Sequence, residues 1–229
     1  MDPEIVWTEH FAEDAAAFIA GEARAAIEMR GFFRLALAGG NTPRLVHAAL
    51  ATKPVEWSRV QITFGDERCV PPDDADSNFR MAKESLFDLV SIPPGNIFRI
   101  RGESAPDAVA REYEDKLAAV AARFGEERYV HDLILLGMGP DGHTASLFPG
   151  SPALAERARN VIPTTGPKPP PQRITMTFPL LNAARCVCFL VNDAGKLSLV
   201  EKIIAGDTEY PAAHVRPVAG GVRWLVASV

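Results

Sequence analysis

Four glycine-containing turns of this 229-residue chain carry side chains suited to moving a proton beside a bound anion. His143 closes the run Gly137-Met138-Gly139-Pro140-Asp141-Gly142-His143. A neutral imidazole can take a proton from water and return it to a leaving group. Asp141, two residues earlier, can orient that ring or hold substrate. Gly39-Gly40-Asn41-Thr42 runs into Pro43 and a helical pattern. Paired glycines there let peptide N–H groups approach an oxyanion at a helix N-terminus. Arg68 follows Asp66-Glu67 and either pairs with those acids or faces a ligand. Lys196 opens its own helix, where the helix dipole disfavours a cation; a ligand phosphate would offset that cost. His10, His47, His131 and His214 read as structural or surface residues.

Each turn follows a β-rich run: Leu35-Ala36-Leu37-Ala38, Gln61-Ile62-Thr63-Phe64, Leu133-Ile134-Leu135-Leu136 and Phe189-Leu190-Val191. Each is expected to lead toward a helix. In an open parallel sheet such turns share the carboxyl edge, where ligands bind. Helices are expected at residues 15–29, from Thr42-Pro43 onward, at 77–90 with Ser77 as cap, at 106–124, and at 197–204 ended by Gly206. Strands are expected at 32–38, 60–64, 132–136, 174–177, 186–191 and 222–227, with a further short one at 160–162. Residues 163–171 hold five prolines and read as a surface loop. Strands alternating with helices imply βαβ units, hence a mainly parallel, three-layer α/β sheet, and the length suits a single domain over residues 1–229.

Composition narrows the function classes. A net charge of -5 argues against nucleic acid or an acidic membrane as partner, but leaves room for a small anion held by two or three local cations. No apolar run approaches a membrane span of roughly 18 residues. The acidic start Met1-Asp2-Pro3-Glu4 lacks the features of a signal peptide, so a cytoplasmic protein is expected. Cys69, Cys186 and Cys188 read as ordinary buried thiols, with Cys186 and Cys188 on one face of a strand. The histidines show no metal-ligand spacing. Gly137-Met138-Gly139-Pro140-Asp141-Gly142 fits G-x-G-x-x-G, yet Pro149 and Gly150 stop any helix within two turns, and residues 160–162 end without an acid for a ribose hydroxyl. A dinucleotide site is therefore disfavoured.

Gly39-Gly40-Asn41-Thr42-Pro43, Asp66-Glu67-Arg68-Cys69-Val70-Pro71 with Ser77-Asn78, and the run from Gly137 through Asp141-Gly142-His143-Thr144-Ala145-Ser146-Leu147-Phe148-Pro149 together resemble the 6-phosphogluconolactonase family. The resemblance extends in order along essentially the whole chain. It implies a Rossmann-like fold and hydrolysis of 6-phospho-D-glucono-1,5-lactone to 6-phosphogluconate in the pentose phosphate pathway. It also implies no metal and no organic cofactor. By the same resemblance His143 is the base, and Arg68 and Lys196 fall where phosphate is contacted. Glucosamine-6-phosphate deaminase shares the fold and the Asp-Gly-His turn but continues Ala-Phe-Asn-Glu-Pro. Here Ala145-Ser146-Leu147-Phe148-Pro149 offers no carboxylate, which favours the lactonase. The expected partner is a small sugar phosphate, bound by a monomer or weak homo-oligomer.

Overall fold

A computed structural model describes residues 3–228, so Met1 and Asp2 of the acidic start lie outside the described residues. The strands are β1 (Glu4–Thr8), β2 (Phe33–Leu37), β3 (Val60–Phe64), β4 (Asp66–Arg68), β5 (Leu133–Leu136), β6 (Val161–Thr165), β7 (Gln172–Met176), β8 (Cys186–Val191) and β9 (Gly221–Ala227). The helices are α1 (Phe11–Arg30), α2 (Asn41–Leu50), α3 (Asn78–Ser85), α4 (Pro106–Arg123), α5 (Phe178–Leu181) and α6 (Leu197–Ile204). Six strands form one parallel sheet in the order β1-β9-β8-β5-β2-β3. The parallel α/β expectation holds.

The central strands are apolar runs because both of their faces are covered. All residues of β2 and β5 are buried, including Arg34. Helix α1 turns Phe11, Ala15, Ile19 and Ala23 inward at four-residue spacing, with Ala16 and Ala26 beside them. It stops at Gly31, whose φ of 81° is the left-handed geometry that lets its N–H reach the Ile27 carbonyl at 2.8 Å. Ser77 caps α3 as expected, its Oγ accepting from the Arg80 N–H at 3.2 Å. That helix ends at Ser85 rather than running on to residue 90; a short 3₁₀ turn, Phe87–Leu89, follows.

The structure adds features that the sequence pattern hides. The N-terminal strand β1 pairs with β9 at the sheet margin. A second, antiparallel sheet runs β4-β7-β6. It begins where the chain leaves β3, turns at Gly65 and continues as β4, so Asp66-Glu67-Arg68 is a strand and not a turn toward a helix. Of the four turns, that after β5 also leads into no α-helix; that after β2 opens α2 directly, and that after β8 reaches α6 through a 3₁₀ turn, Ala194–Lys196. Residues 163–165, read as loop, belong to β6, with Pro163 opposite Ile174. β6 lies at the margin of its sheet, where a proline's missing N–H disrupts no inner ladder. The loop proper is confined to residues 166–171, closed by the Gly166 N–H to the Pro171 carbonyl at 2.7 Å.

Strand order also locates the ligand-binding edge. From β2 the chain proceeds through α2 to β3 on one side, and from β5 it proceeds to β8 and β9 on the other. The order therefore reverses between β2 and β5, and the crevice of such a sheet opens outside the carboxyl ends of those two strands. Among the described residues no helix is long and apolar enough to cross a membrane.

Candidate active site

At that reversal lies a small cavity of ≈ 150 Å³, lined by Ala38, Gly39, Gly65, Asp66, Arg68, residues 136–139, His143 and Ala145. The turn after β5 is built to present His143. Gly139 and Gly142 close it: the Gly142 N–H donates to the Gly139 carbonyl at 3.0 Å, and the Gly139 N–H to the His143 carbonyl at 2.9 Å. Gly142 has φ 74° and leaves no room for a side chain, since a Cβ would sit 2.6 Å from the Tyr210 ring. Gly139 is equally constrained, because a Cβ there would lie 2.1 Å from His143 Nδ1. Glycine at 139 thus lets the imidazole lie directly over the backbone. Ala145, on the cavity wall, takes a positive φ of 47°, a geometry costly for a residue with a side chain and typical of places where function holds the backbone in shape.

His143 Nδ1 lies 2.5 Å from Asp141 Oδ1. Partial burial works to raise the Asp141 carboxyl, but hydrogen bonds from the His143 ring and backbone outweigh it, so its pKa sits below the usual aspartate value. With an ionised Asp141 accepting from Nδ1–H, Nε2 is the ring nitrogen left to take up a proton. The Phe148 ring packs against the imidazole at 4.6 Å between centroids. A larger open groove of ≈ 870 Å³ adjoins the pair, sharing Asp141 and Phe148 and walled by Thr164, Gly166 and Pro167.

Arg68 shares the small cavity with His143. It does not pair with its neighbouring acids; its Nη1 donates to the Asp76 carbonyl at 2.6 Å, and its Nε is buried without a partner. Gly39 also lines the cavity, packed so closely on Asn78 that a Cβ would meet its side chain at 1.8 Å. Gly40, with φ 102°, turns the chain into α2, whose first turn has neither a side-chain cap nor an acidic residue. Asn41 and Thr42 open that helix and do not themselves line the cavity. Lys196 stands one strand further along the edge, after β8, its Nζ 3.7 Å from Asp193 Oδ2; it too is outside the cavity lining. Asp193 Oδ1 accepts from the Gly195 N–H at 3.0 Å and so holds this turn.

Beneath Arg68 sits a polar layer that sequence reasoning passed over. Asp66 Oδ2 accepts from Ser146 Oγ at 2.6 Å and Oδ1 from Asn78 Nδ2 at 3.1 Å, tying the β3 turn to the segment after His143. Glu67 is buried and accepts from four donors: the N–H groups of Arg68, Asn78 and Phe79, and the Ser77 hydroxyl. Burial pushes its pKa up to about 7 against those donors. The motif Asp66-Glu67-Arg68 with Ser77-Asn78 was the available signal, but only Arg68 was drawn from it. Among the described residues no group of three or more His, Cys, Asp or Glu is placed to hold a metal ion.

Residues 7–224 match a family described as glucosamine-6-phosphate isomerases/6-phosphogluconolactonase. The chain is similar to a 6-phosphogluconolactonase from Synechocystis sp., 42% identical over 205 residues that cover 88% of this chain and 84% of that protein. It is 40% identical to the human 6-phosphogluconolactonase, over 86% of this chain and 79% of that protein. In structure it resembles a 6-phosphogluconolactonase from Thermotoga maritima with a TM-score of 0.89 at 30% identity, covering 99% of this chain and 100% of the other. With the match running almost end to end, the chain belongs to the 6-phosphogluconolactonase family of lactone hydrolases.

Proposed function

We propose that this chain hydrolyses 6-phospho-D-glucono-1,5-lactone to 6-phospho-D-gluconate, in the pentose phosphate pathway, with His143 as general base. The observation that carries this reading is the pairing, in one cavity, of an Asp141-oriented imidazole with the Arg68 guanidinium. The first can activate water; the second can hold a phosphate.

In this scheme Arg68, the Gly39–Gly40 turn with the start of α2 at Asn41 and Thr42, and Lys196 receive the 6-phosphate. A charge-assisted hydrogen bond of this kind contributes about 1.5–3 kcal/mol. The lactone carbonyl then faces a water held at His143 Nε2. The imidazole takes the proton as the water oxygen bonds to C1, and Asp141 stabilises the imidazolium that forms. Peptide N–H groups of the glycine turns around the cavity serve the oxyanion. Collapse of the tetrahedral intermediate breaks the C1–ring-oxygen bond, and the imidazolium returns its proton to that oxygen. Water is consumed, the imidazole is regenerated, and no step calls on a cofactor.

The test is hydrolysis of freshly made lactone with the uncatalysed rate subtracted. Turnover above that background supports the reading. Ammonia release from glucosamine 6-phosphate, without lactone hydrolysis, would replace it with the deaminase activity of the wider family. Binding without either reaction would leave a sugar-phosphate sensor.

A further inference from the structure

The register of the small sheet places a second arginine opposite Arg68. Across the β4–β7 ladder Asp66 faces Thr175, Glu67 faces Ile174, and Arg68 faces Arg173. Side chains alternate along a strand, so Asp66, Arg68, Thr175 and Arg173 share one face. Contacts identify that face. Asp66 binds the Ser146 hydroxyl, and Thr175 Oγ1 accepts from the Ser146 N–H at 3.1 Å, so the face looks toward the segment that follows His143. A Cβ at Gly166 would meet the Phe148 ring at 3.1 Å and Arg173 Nε at 3.5 Å. Arg173 is thereby flanked on one side by Arg68, which lines the small cavity, and on the other by the groove residues Gly166 and Phe148.

This arginine is poorly satisfied. It is 7% exposed, its Nε is buried without a partner, and among the described residues its one side-chain hydrogen bond is a long 3.5 Å contact from Nη2 to the Lys168 carbonyl. Among the described residues neither Arg173 nor Arg68 forms a salt bridge, and the Nε atoms of both are orphaned. Buried Arg34 differs in having the Glu126 carboxylate and three aromatic rings around it. Like charges directly opposed across antiparallel strands destabilise a sheet, and buried unpaired guanidinium N–H groups add to that cost. Burial, and then the charge of Arg68, hold the Arg173 pKa below the ordinary arginine value. A doubly charged phosphate between two guanidinium forks would resolve both penalties.

We propose that Arg173 and Arg68 form a paired-guanidinium site for the phosphate, and that Arg173 sets the preference for phosphorylated over unphosphorylated lactones. This rests on the lactonase reading for its substrate, though the anion site can be tested without it. Arg173→Gln and Arg173→Lys are to be compared with the parent on 6-phosphogluconolactone, on glucono-1,5-lactone, and by melting with and without inorganic phosphate. Arg173→Gln should raise KM for the phosphorylated lactone about tenfold or more and change kcat/KM for the unphosphorylated one by less than about twofold. It should melt no lower than the parent without phosphate and lose the rise that phosphate brings. Arg173→Lys, which keeps the charge but not the fork, should fall between the two. Equal losses on both lactones, or a lower melting point with the phosphate-dependent rise intact, would overturn the proposal and leave Arg173 a structural residue. Should the parent hydrolyse neither lactone, the lactonase reading falls, while the phosphate-dependent melting shift still decides the arginine site.

Discussion

Strand β5 has a histidine and an aspartate at each end, and arginines stand near both pairs. At the amino end are His131 and Asp132; beyond the carboxyl end are Asp141 and His143. The amino-end groups are sealed inside. Asp132 accepts from Arg30 at 2.6 Å and from the Arg34 N–H at 2.8 Å, with Arg185 at 3.3 Å. His131 is fully buried, its Nε2 2.8 Å from Thr63 Oγ1, and burial with the nearby Arg34 charge lowers its pKa to about 3. At the carboxyl end the histidine–aspartate pair is partly exposed and borders a cavity that also holds Arg68. Near-identical residue types thus serve opposite purposes. In a parallel sheet the carboxyl edge gathers turns and helix N-termini that leave room for a ligand, whereas here the amino edge is closed by paired charges.

Substitutions at the two ends should separate cleanly. The largest effect is expected at His143: His143→Ala should lower kcat by roughly 10²–10⁴-fold with little change in melting, read from initial rates after subtracting spontaneous hydrolysis. Near-normal turnover would remove His143 from the chemistry. Asp132→Ala should show the converse, a loss of about 1–3 kcal/mol in denaturant unfolding because the buried Arg34 N–H and the Arg30 guanidinium lose their acceptor, with kcat preserved in whatever protein remains folded.

Gly139→Ala probes the carboxyl end through shape alone. Its Cβ would collide with the His143 ring and the Asp141 carboxylate, so kcat should drop about tenfold or more, as for other small misplacements of a reacting group. Gly21→Ala on α1, where a Cβ likewise meets nothing within 4 Å and which lies outside the cavity lining, is the control and should stay near parental activity. Lys196→Ala should raise KM about tenfold and leave kcat largely alone. An unchanged KM would take Lys196 out of the phosphate site.

The last effect concerns pH and accrues gradually. His131 and His47 are buried neutral, burial lowering them from 6.5 to about 3 and about 4. Below pH 6.5 the unfolded chain binds more protons than the folded one, so their contribution to stability is fully present above 6.5 and is lost as pH falls toward those folded-state values. The loss is on the order of 1 kcal/mol per pH unit for each histidine. Urea unfolding between these limits should give His131→Gln a slope lower than the parent's by about 1 kcal/mol per pH unit, while buried Glu67, raised to about 7, works in the opposite direction in both proteins. An unchanged slope in the variant would mean that His131 is not protonated on unfolding.

Much of the central sheet was legible because its signals are local. Strands at residues 60–64 and 186–191 and the helix at 197–204 match the structure end for end, each being a short apolar or periodic run with clear punctuation. The antiparallel sheet was not legible. Asp66-Glu67-Arg68 is too short and polar to read as a strand and is stabilised by β7, which arrives from far along the chain, while Pro163 disguised β6, which forms a hairpin with β7. Arg68, Asp141 and His143 were picked out by the turns that carry them. Asp66 and Arg173 were not, since an acid beside another acid and an arginine just after a proline run carry no local mark of where they point.

By itself the sequence determined the glycine turns, the Asp141-Gly142-His143 spacing that brings carboxylate and imidazole together, and the apolar runs that must lie at the centre of a parallel sheet. These depend on φ/ψ freedom, on two-residue reach and on burial, all properties of contiguous residues. Only the tertiary structure decided which of the two histidine–aspartate pairs flanking β5 faces a cavity, that Asp66 anchors the segment after His143, and that Arg173 lies opposite Arg68. Those outcomes rest on strand order and register, which arise when distant segments pair and which no stretch of a few residues encodes.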